Sequence, residues 1–297
     1  MSKIFVSGLL NTECSIKIGR FPVEYQPIDY SFFGVETCVA GVAYNIAKAL
    51  SVLGDDVNLS SIIGADPEGD RILAELKKSG VNYDAVSRDM ERSPASAILI
   101  DSGGRRRIQC DLKDIQERRH QVDDGAIAGC DLAVICNINF NREILKKAAA
   151  LNKTIVTDVH VLSDINDEYN RNFMQSADIL FLSDENLPCS PEEFILRLES
   201  TYHNKIIVMG RGEKGALMYL RDEGRFESMP AVYNDNIVNT VGAGDALLSS
   251  FIHFYAKGES PRAALEKAQI FASAKISANG ASKGFITESE IESRINP

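Results

Sequence analysis

The chain has 297 residues, 44% of them hydrophobic and 25% charged, and its formal net charge is −10. This composition is typical of a globular protein, and we predict one domain over residues 1–297. The acidic balance argues against nucleic-acid binding, since the one basic cluster is the short run Arg105–Arg107. No stretch reaches the roughly 18 apolar residues of a membrane helix, and the N-terminus does not resemble a signal peptide, so we expect a cytoplasmic protein without a membrane partner.

Cysteine and histidine usage does not indicate a metal or disulfide framework. The chain has six cysteines and four histidines, and none of them are grouped at zinc-binding spacing. We therefore expect reduced cysteines that serve as small core hydrophobes.

Short apolar runs alternate along the chain with longer amphipathic ones. The short runs predict strands at 4–8, 57–63, 132–136, 154–158, 179–182, 206–209 and 216–220. The amphipathic runs predict helices at 42–53, 66–78, 141–151, 243–257 and 261–278. Strand and helix in alternation predict an α/β fold, with a mostly parallel central sheet and helices on both of its faces.

Two segments, at about 14–38 and 95–111, break this alternation. The first contains prolines and aromatic residues without a helical period, and the second predicts a hairpin around the turn 101–104. Because the strands on either side of these segments belong to the main sheet, both look like insertions that form a small antiparallel lid. Ordinary edge hairpins are the alternative, and the pattern alone does not decide between them.

The strongest local signal is the glycine-rich segment before the helix at 243–257. Gly242 and Gly244 flank Ala243, so backbone amides there can approach an anion closely, and the first helical turn adds unpaired N–H groups. Asp245 follows at once, where a carboxylate could accept the proton of a hydroxyl that attacks a phosphate. The competing interpretation is that Asp245 merely caps the helix.

Several ordered segments together carry a family resemblance. Residues 239–246 read Asn-Thr-Val-Gly-Ala-Gly-Asp-Ala, and residues 40–47 read Ala-Gly-Val-Ala-Tyr-Asn-Ile-Ala. They resemble the C-terminal and N-terminal signatures of the ribokinase-like (PfkB) carbohydrate kinases, usually Asp-Thr-x-Gly-Ala-Gly-Asp and Gly-Gly-x-x-x-Asn. Further matching segments lie at 8–13, 63–69 and 212–216, so the resemblance covers essentially the whole chain.

The resemblance implies a three-layer α/β/α fold with a small β lid, and transfer of the γ-phosphate of ATP to a hydroxymethyl group. It implies that Asp245 is the base and that the amides of Gly242, Ala243 and Gly244 form an anion hole. The residues that it assigns to the substrate are Asn11, Glu13, Gly41 and Asn45.

The residues themselves leave some of these substrate roles open. Asn11 fits a turn former as well as a ligand, and Glu13 alone would be read as a solvated side chain. Asn45 differs, because it lies on an apolar helix face, where a polar amide needs a partner.

The predicted nucleotide side departs from the family pattern. The resemblance places nucleotide contacts at Ser183, Gly210, Arg211, Gly212, Thr240 and Asn279. The family's Asn-x-x-Glu segment, which organises Mg²⁺, falls on residues 183–186, where both end residues differ. We therefore predict that Mg²⁺ is held by Asp184, Glu185 and Asn186, with solvated loop acids as the alternative. A surface arginine is likewise the alternative for Arg211.

Asn239 replaces the Asp that, in the family, shapes a neighbouring monovalent-cation site. Loss of that charge predicts a weakened dependence on K⁺. An Asn at this position also occurs in pseudouridine kinases of the same family. We therefore expect a small-molecule substrate that bears a pentose, either a free sugar or a nucleoside.

Lid residues bear on the identity of the substrate. The stretch 109–114, with Asp111, would present polar groups to it, and the aromatic residues Tyr25, Phe32 and Phe33 would either stack on a base or pack the lid. Free edges of the lid sheet predict a homodimer formed through the lid.

Two other functional classes compete with a kinase. A dinucleotide-dependent oxidoreductase is disfavoured, because Gly-Leu-Leu-Asn follows the first strand in place of Gly-x-Gly-x-x-Gly. A catalytically inactive kinase fold that senses a sugar or nucleoside stays open, because segment 183–186 is altered.

Overall fold

The computed structural model describes residues 1–295, which form two sheets flanked by helices. The strands are β1 (Lys3–Ser7), β2 (Asn11–Lys17), β3 (Val35–Ala40), β4 (Asp56–Gly64), β5 (Asn82–Met90), β6 (Ala95–Ile100), β7 (Arg106–Asp111), β8 (Leu132–Ile135), β9 (Thr154–Val161), β10 (Ile179–Ser183), β11 (Ile206–Gly210), β12 (Ala216–Leu220) and β13 (Arg225–Met229). The helices are α1 (Val42–Leu53), α2 (Pro67–Ser79), α3 (Asp124–Ala128), α4 (Asn141–Ala150), α5 (Arg171–Ser176), α6 (Pro191–Tyr202), α7 (Ala243–Ala256), α8 (Pro261–Lys275) and α9 (Glu288–Ile295).

The larger sheet has nine strands in the order β13-β12-β11-β10-β9-β8-β1-β4-β5. The pairs from β5 to β11 are parallel, whereas β12 pairs antiparallel with both β11 and β13. Carboxyl ends of parallel strands meet at one edge of a sheet, and ligands of open α/β sheets bind at that edge.

Helices cover both faces of the larger sheet and create two separate hydrophobic cores. One core packs α1, α2, α7 and α8 on one face, and contains Ile46, Leu50, Phe251 and Phe271. The other packs α4, α5 and α6 on the opposite face. The three-layer arrangement that the strand and helix alternation predicts is thereby confirmed.

A smaller sheet of four strands, in the order β3-β2-β6-β7, forms the predicted lid. Its outer pairs are antiparallel, but β2 pairs with β6 in parallel, so the sheet is mixed and not purely antiparallel as expected. The first lid segment is also longer than the predicted 14–38, because β2 starts at Asn11 and β3 ends at Ala40. The first lid strand therefore begins only four residues beyond Ser7, the end of β1.

None of the helices formed by residues 1–295 combines the length and the apolar character that a bilayer span requires.

Candidate active site

A cavity of about 700 Å³ lies between the lid and the carboxyl edge of the larger sheet. This volume falls within the range of small-molecule sites. Its walls come from the ends of β9, β10 and β11, from the start of α1, from the inner face of the lid and from the loop before α7. The cavity is therefore built where the topology of an open parallel sheet favours ligand binding.

The loop before α7 forms one wall of this cavity. Gly242 has φ 82° and is the N-cap of α7, and a Cβ at this position would lie 2.5 Å from the carbonyl oxygen of Ala281. Within residues 1–295 the amides of Gly242 and Gly244 make no backbone hydrogen bond, so both are available to an anion. The amide of Ala243, which was also predicted to bind the anion, is already engaged, because it donates to the carbonyl of Thr240 at 3.2 Å.

Asp245 lies at the floor of the cavity, with only 8% of its surface exposed. Its Oδ2 accepts a hydrogen bond of 2.7 Å from Asn45 Nδ2, and burial raises the pKa of its carboxyl group above the ordinary value. The N-cap of α7 is Gly242 and makes no side-chain cap bond, so Asp245 does not cap the helix. A buried carboxylate with a raised pKa is better matched to accepting a proton near neutral pH.

The four residues expected to hold the substrate meet at one end of the cavity. Asn11 and Glu13 lie on β2, Gly41 precedes α1 and Asn45 lies one turn into that helix. Glu13 is 6% exposed, so it is not a solvated side chain, and burial raises its pKa. The Oδ1 atoms of Asn11 and Asn45 are buried without a hydrogen-bond partner among the described residues 1–295, and both residues line the cavity. Each can accept a hydrogen bond from a hydroxyl group.

Gly41 fixes how this end of the cavity is built. Its φ of 106° suits glycine, and a Cβ would lie 2.3 Å from the carbonyl oxygen of Leu9. That carbonyl accepts the amide of Ala43 at 3.2 Å, which anchors the start of α1 beside the end of β1. The close approach is what brings Asn11 and Asn45 to the same cavity.

The residues expected to bind nucleotide lie mainly at the ends of β10 and β11. Ser183, Asp184, Glu185, Gly210, Arg211 and Gly212 all line the cavity. The Nε atom of Arg211 is buried and has no hydrogen-bond partner in the part of the chain that the structure describes, which is costly for a guanidinium unless an anion is bound there. This geometry does not fit a simple surface arginine.

Three expected site residues are not part of the cavity wall. Asp111 is exposed and pairs with Lys113, which lowers its pKa. Asn186 is an exposed turn residue with φ 61°. Asn279 is engaged by Asn239 and Glu36.

The lid aromatics are also absent from the cavity wall. Tyr25, Phe32 and Phe33 are each more than four-fifths exposed, at 91%, 84% and 104%. These side chains therefore neither face the cavity nor pack inside the lid.

Polar contacts hold the lid against the body of the protein. Arg106 on β7 donates to Thr240 Oγ1 at 2.9 Å, directly before the glycine loop. Glu36 on β3 pairs with Lys283 and accepts a hydrogen bond from Asn279. These bonds connect the lid to the loop before α7 and to the segment that follows α8.

Sequence reasoning missed three charged residues at or behind the site. Asp158 and His160 line the cavity at the end of β9, and the Asp158 carboxylate raises the pKa of the neighbouring imidazole. Lys275 is fully buried behind the glycine loop. A signal for Lys275 existed, because it continues the buried stripe of Ala268 and Phe271 on α8, where a charge is unexpected.

Known proteins with similar sequence and structure point to one family. Residues 1–288 match the pfkB family carbohydrate kinases. Ribokinase from Dictyostelium discoideum is 23% identical, over 98% of this chain and 99% of that protein. A 5-dehydro-2-deoxygluconokinase from Clostridium perfringens is 25% identical, over 94% of this chain and 92% of that protein.

Among solved structures, Arabidopsis thaliana ribokinase complexed with ribose and ATP matches with a TM-score of 0.81 and 18% identity, over 100% of this chain and 99% of that one. The fold is therefore ribokinase-like. Together with the family match over nearly the whole sequence, this establishes that the chain belongs to the pfkB family of carbohydrate kinases, phosphotransferases that act on sugars.

Proposed function

We propose that the protein transfers the γ-phosphoryl group of ATP to a hydroxymethyl group of a pentose or of a pentose-bearing nucleoside. The observation that carries the proposal is the placement of Asp245. Its buried carboxylate, bonded to Asn45, lies in one cavity with the free amides of Gly242 and Gly244. A base and an anion site side by side are what phosphoryl transfer requires.

In the proposed reaction Asp245 accepts the proton of the acceptor hydroxyl while the oxygen of that hydroxyl attacks the γ-phosphorus. The bond between that phosphorus and the oxygen bridging to the β-phosphate breaks, and ADP leaves. The amides of Gly242 and Gly244, with the dipole of α7, stabilise negative charge on the transferring group. Asn45 orients Asp245 through its 2.7 Å hydrogen bond.

The other end of the cavity fits the phosphates and a divalent cation. Arg211 supplies an unpartnered guanidinium nitrogen, and the carboxylates of Asp184 and Glu185 are the hard oxygen ligands that Mg²⁺ prefers. Mg²⁺ bound there would neutralise charge on the phosphates. Asn186 is not included, because it is an exposed turn residue that does not line the cavity.

The acceptor end favours a neutral polyol. Asn11, Glu13, Asn45 and Ser96 offer hydrogen-bonding groups, and Asn11 Nδ2 is already committed to Ser96 Oγ at 2.7 Å. Of the basic run 105–107, only Arg106 lines the cavity, and it is bonded to Thr240. One engaged guanidinium is a weak site for a sugar phosphate, so we infer a substrate without a phosphate group.

The test is an assay of ADP formation over a panel of pentoses, hexoses, nucleosides and sugar phosphates. We expect turnover with a pentose or a nucleoside, and turnover lower by about 10²–10⁴-fold in the Asp245→Asn variant, which controls for contaminating kinases. Turnover only with sugar phosphates would contradict the substrate class. Tight binding of a sugar or nucleoside without any turnover would instead support the inactive sensor.

We also propose that two copies associate through their lids. The loop between β2 and β3 exposes Tyr25, Tyr30, Phe32 and Phe33, and both β3 and β7 are free edges of the lid sheet. Clustered apolar side chains beside unpaired strand edges mark an association surface. A second copy of the chain would cover the exposed aromatic side chains and pair with the free strand edges.

We expect the double variant Phe32→Ser/Phe33→Ser to weaken dimerisation by about tenfold or more, as loss of aromatic anchors does. Sedimentation velocity over a range of protein concentrations measures this. Tyr233→Ser is the matched control, because Tyr233 is 89% exposed and lies outside the lid. A wild-type protein that stays monomeric throughout would contradict the proposal.

A further inference from the structure

Lys275 is a buried cation directly behind the glycine loop. Its side chain is fully buried at the last turn of α8, and its Nζ donates to the carbonyl oxygens of Asn239, at 3.2 Å, and of Val241. The segment is also tied to this helix end by its backbone, because the amides of Val238 and Asn239 both donate to the carbonyl of Ile276.

The surroundings of this ammonium group are unusual for a buried charge. Its hydrogen-bond partners within residues 1–295 are carbonyl oxygens, not carboxylates. Burial lowers the pKa of Lys275 to about 8, while the more distant carboxylates of Asp245 and Glu13 favour its charged form and Arg106 disfavours it. A buried ammonium group without a carboxylate in hydrogen-bond contact is costly, so its presence here calls for a functional explanation.

The neighbouring Asn239 fits that arrangement. It is 4% exposed, and its Oδ1 accepts the amide of Val241 at 2.9 Å while its Nδ2 donates to Asn279 at 3.1 Å. A neutral amide side chain is sufficient at position 239, because the backbone carbonyl oxygens accept the hydrogen bonds of the positively charged Lys275.

Backbone carbonyl oxygens are also the ligands that replace the hydration shell of K⁺. An ammonium group has the same charge as K⁺ and a similar radius, and both cannot contact the carbonyls of Asn239 and Val241 at once. The residues present therefore do not fit a bound monovalent cation at this position.

We propose that Lys275 is a built-in cation that positions the glycine loop and frees the enzyme from activation by K⁺. Its ammonium group holds the carbonyls of Asn239 and Val241 behind the loop, so that the amides of Gly242 and Gly244 face the cavity. Lys275 is thus a positioning residue that acts through the loop. The inference rests on the proposed kinase reaction.

The first test uses the wild-type enzyme in KCl and in tetramethylammonium chloride at equal ionic strength. We expect turnover to differ by less than about twofold, and the same melting temperature in both salts, since Lys275 occupies the carbonyls of Asn239 and Val241. Turnover that rises severalfold and saturates with KCl would overturn the proposal. Absence of turnover with any acceptor would count against the proposed function, and the melting temperatures would still decide this inference.

The second test compares two variants. Lys275→Ala removes the charge and leaves a polar space, so we expect turnover at least about tenfold lower in tetramethylammonium and recovered on addition of KCl. Its melting temperature should rise with KCl. Lys275→Met removes the charge but fills the space, so its turnover should be low in both salts.

Lys146→Ala, at a lysine that is 73% exposed on α4, is the control and should behave like the wild type. A Lys275→Ala enzyme that is fully active without K⁺ would overturn the proposal. So would one that folds but is rescued by no concentration of KCl. If neither variant melts cooperatively, the wild-type comparison decides.

Discussion

Replacement of Asp245 by alanine is expected to lower turnover by about 10²–10⁴-fold, the usual contribution of a general base. Binding of the acceptor and of ATP should persist, because the groups proposed to hold them lie on other elements. Calorimetric titration of each ligand, together with steady-state kinetics, separates the two effects. Near-normal turnover in this variant would rule out Asp245 as the base.

Two further variants sharpen this experiment. Asp245→Asn keeps the size of the side chain and an oxygen that can accept from Asn45, so a similar loss would come from the missing carboxylate and not from a cavity. Asp222→Ala, at an exposed turn away from the site, is the control for loss of one acidic charge. We expect wild-type turnover from it.

Replacement of Gly242 by alanine is expected to lower turnover by about 10²–10³-fold, as loss of an anion-stabilising donor does. The new Cβ would lie 2.5 Å from the carbonyl oxygen of Ala281, and a φ of 82° adds strain. The loop must shift to relieve this clash, which moves the amides of Gly242 and Gly244. Steady-state kinetics and thermal melts measure the two consequences.

Gly258 provides a matched control at the other end of α7. Its φ is 89°, but a Cβ there would meet no atom within 4 Å. Gly258→Ala should therefore lose about 1–3 kcal/mol of stability through backbone strain alone and keep its turnover. An equal loss of turnover in both variants would indicate general destabilisation and would contradict a specific role of the loop before α7.

The strongly periodic elements could be predicted from the sequence with little error. Helix α1 begins and ends where its apolar stripe does, and β12 has the predicted bounds. Strands β5 and β13 were not predicted, and β2 and β3 were predicted only as part of a lid segment without strand bounds. Strand β5 is polar and lies at an edge of the larger sheet, so it shows no apolar alternation. Helix α6 was missed although Ser190 and Pro191 are a start signal.

The sequence predicts the parts of the candidate site where the backbone conformation accepts only glycine. Gly41 and Gly242 have positive φ and backbone contacts that a Cβ would violate, and the sequence reveals them as glycines. Asp158 and His160 were not predicted, because they join the site through tertiary packing that one sequence does not display. Lys275 had a signal, as a charge within the buried stripe of α8, but its contact with the loop before α7 also depends on tertiary packing. Asn186 was assigned by its offset in a motif, and a turn carries it away from the cavity.

Strand β2 belongs to the lid sheet, yet it carries Asn11 and Glu13, whereas Asp245 belongs to the body of the protein. On the proposed function, we expect an acceptor that hydrogen-bonds with β2 to hold the lid sheet against the body of the protein and, through the same contacts, to lie beside Asp245. Water is too small to contact β2 and Asp245 at once, so it would not hold the two sheets together. We therefore expect the division of the site between two sheets to favour a sugar hydroxyl over water as the acceptor and to limit hydrolysis of ATP.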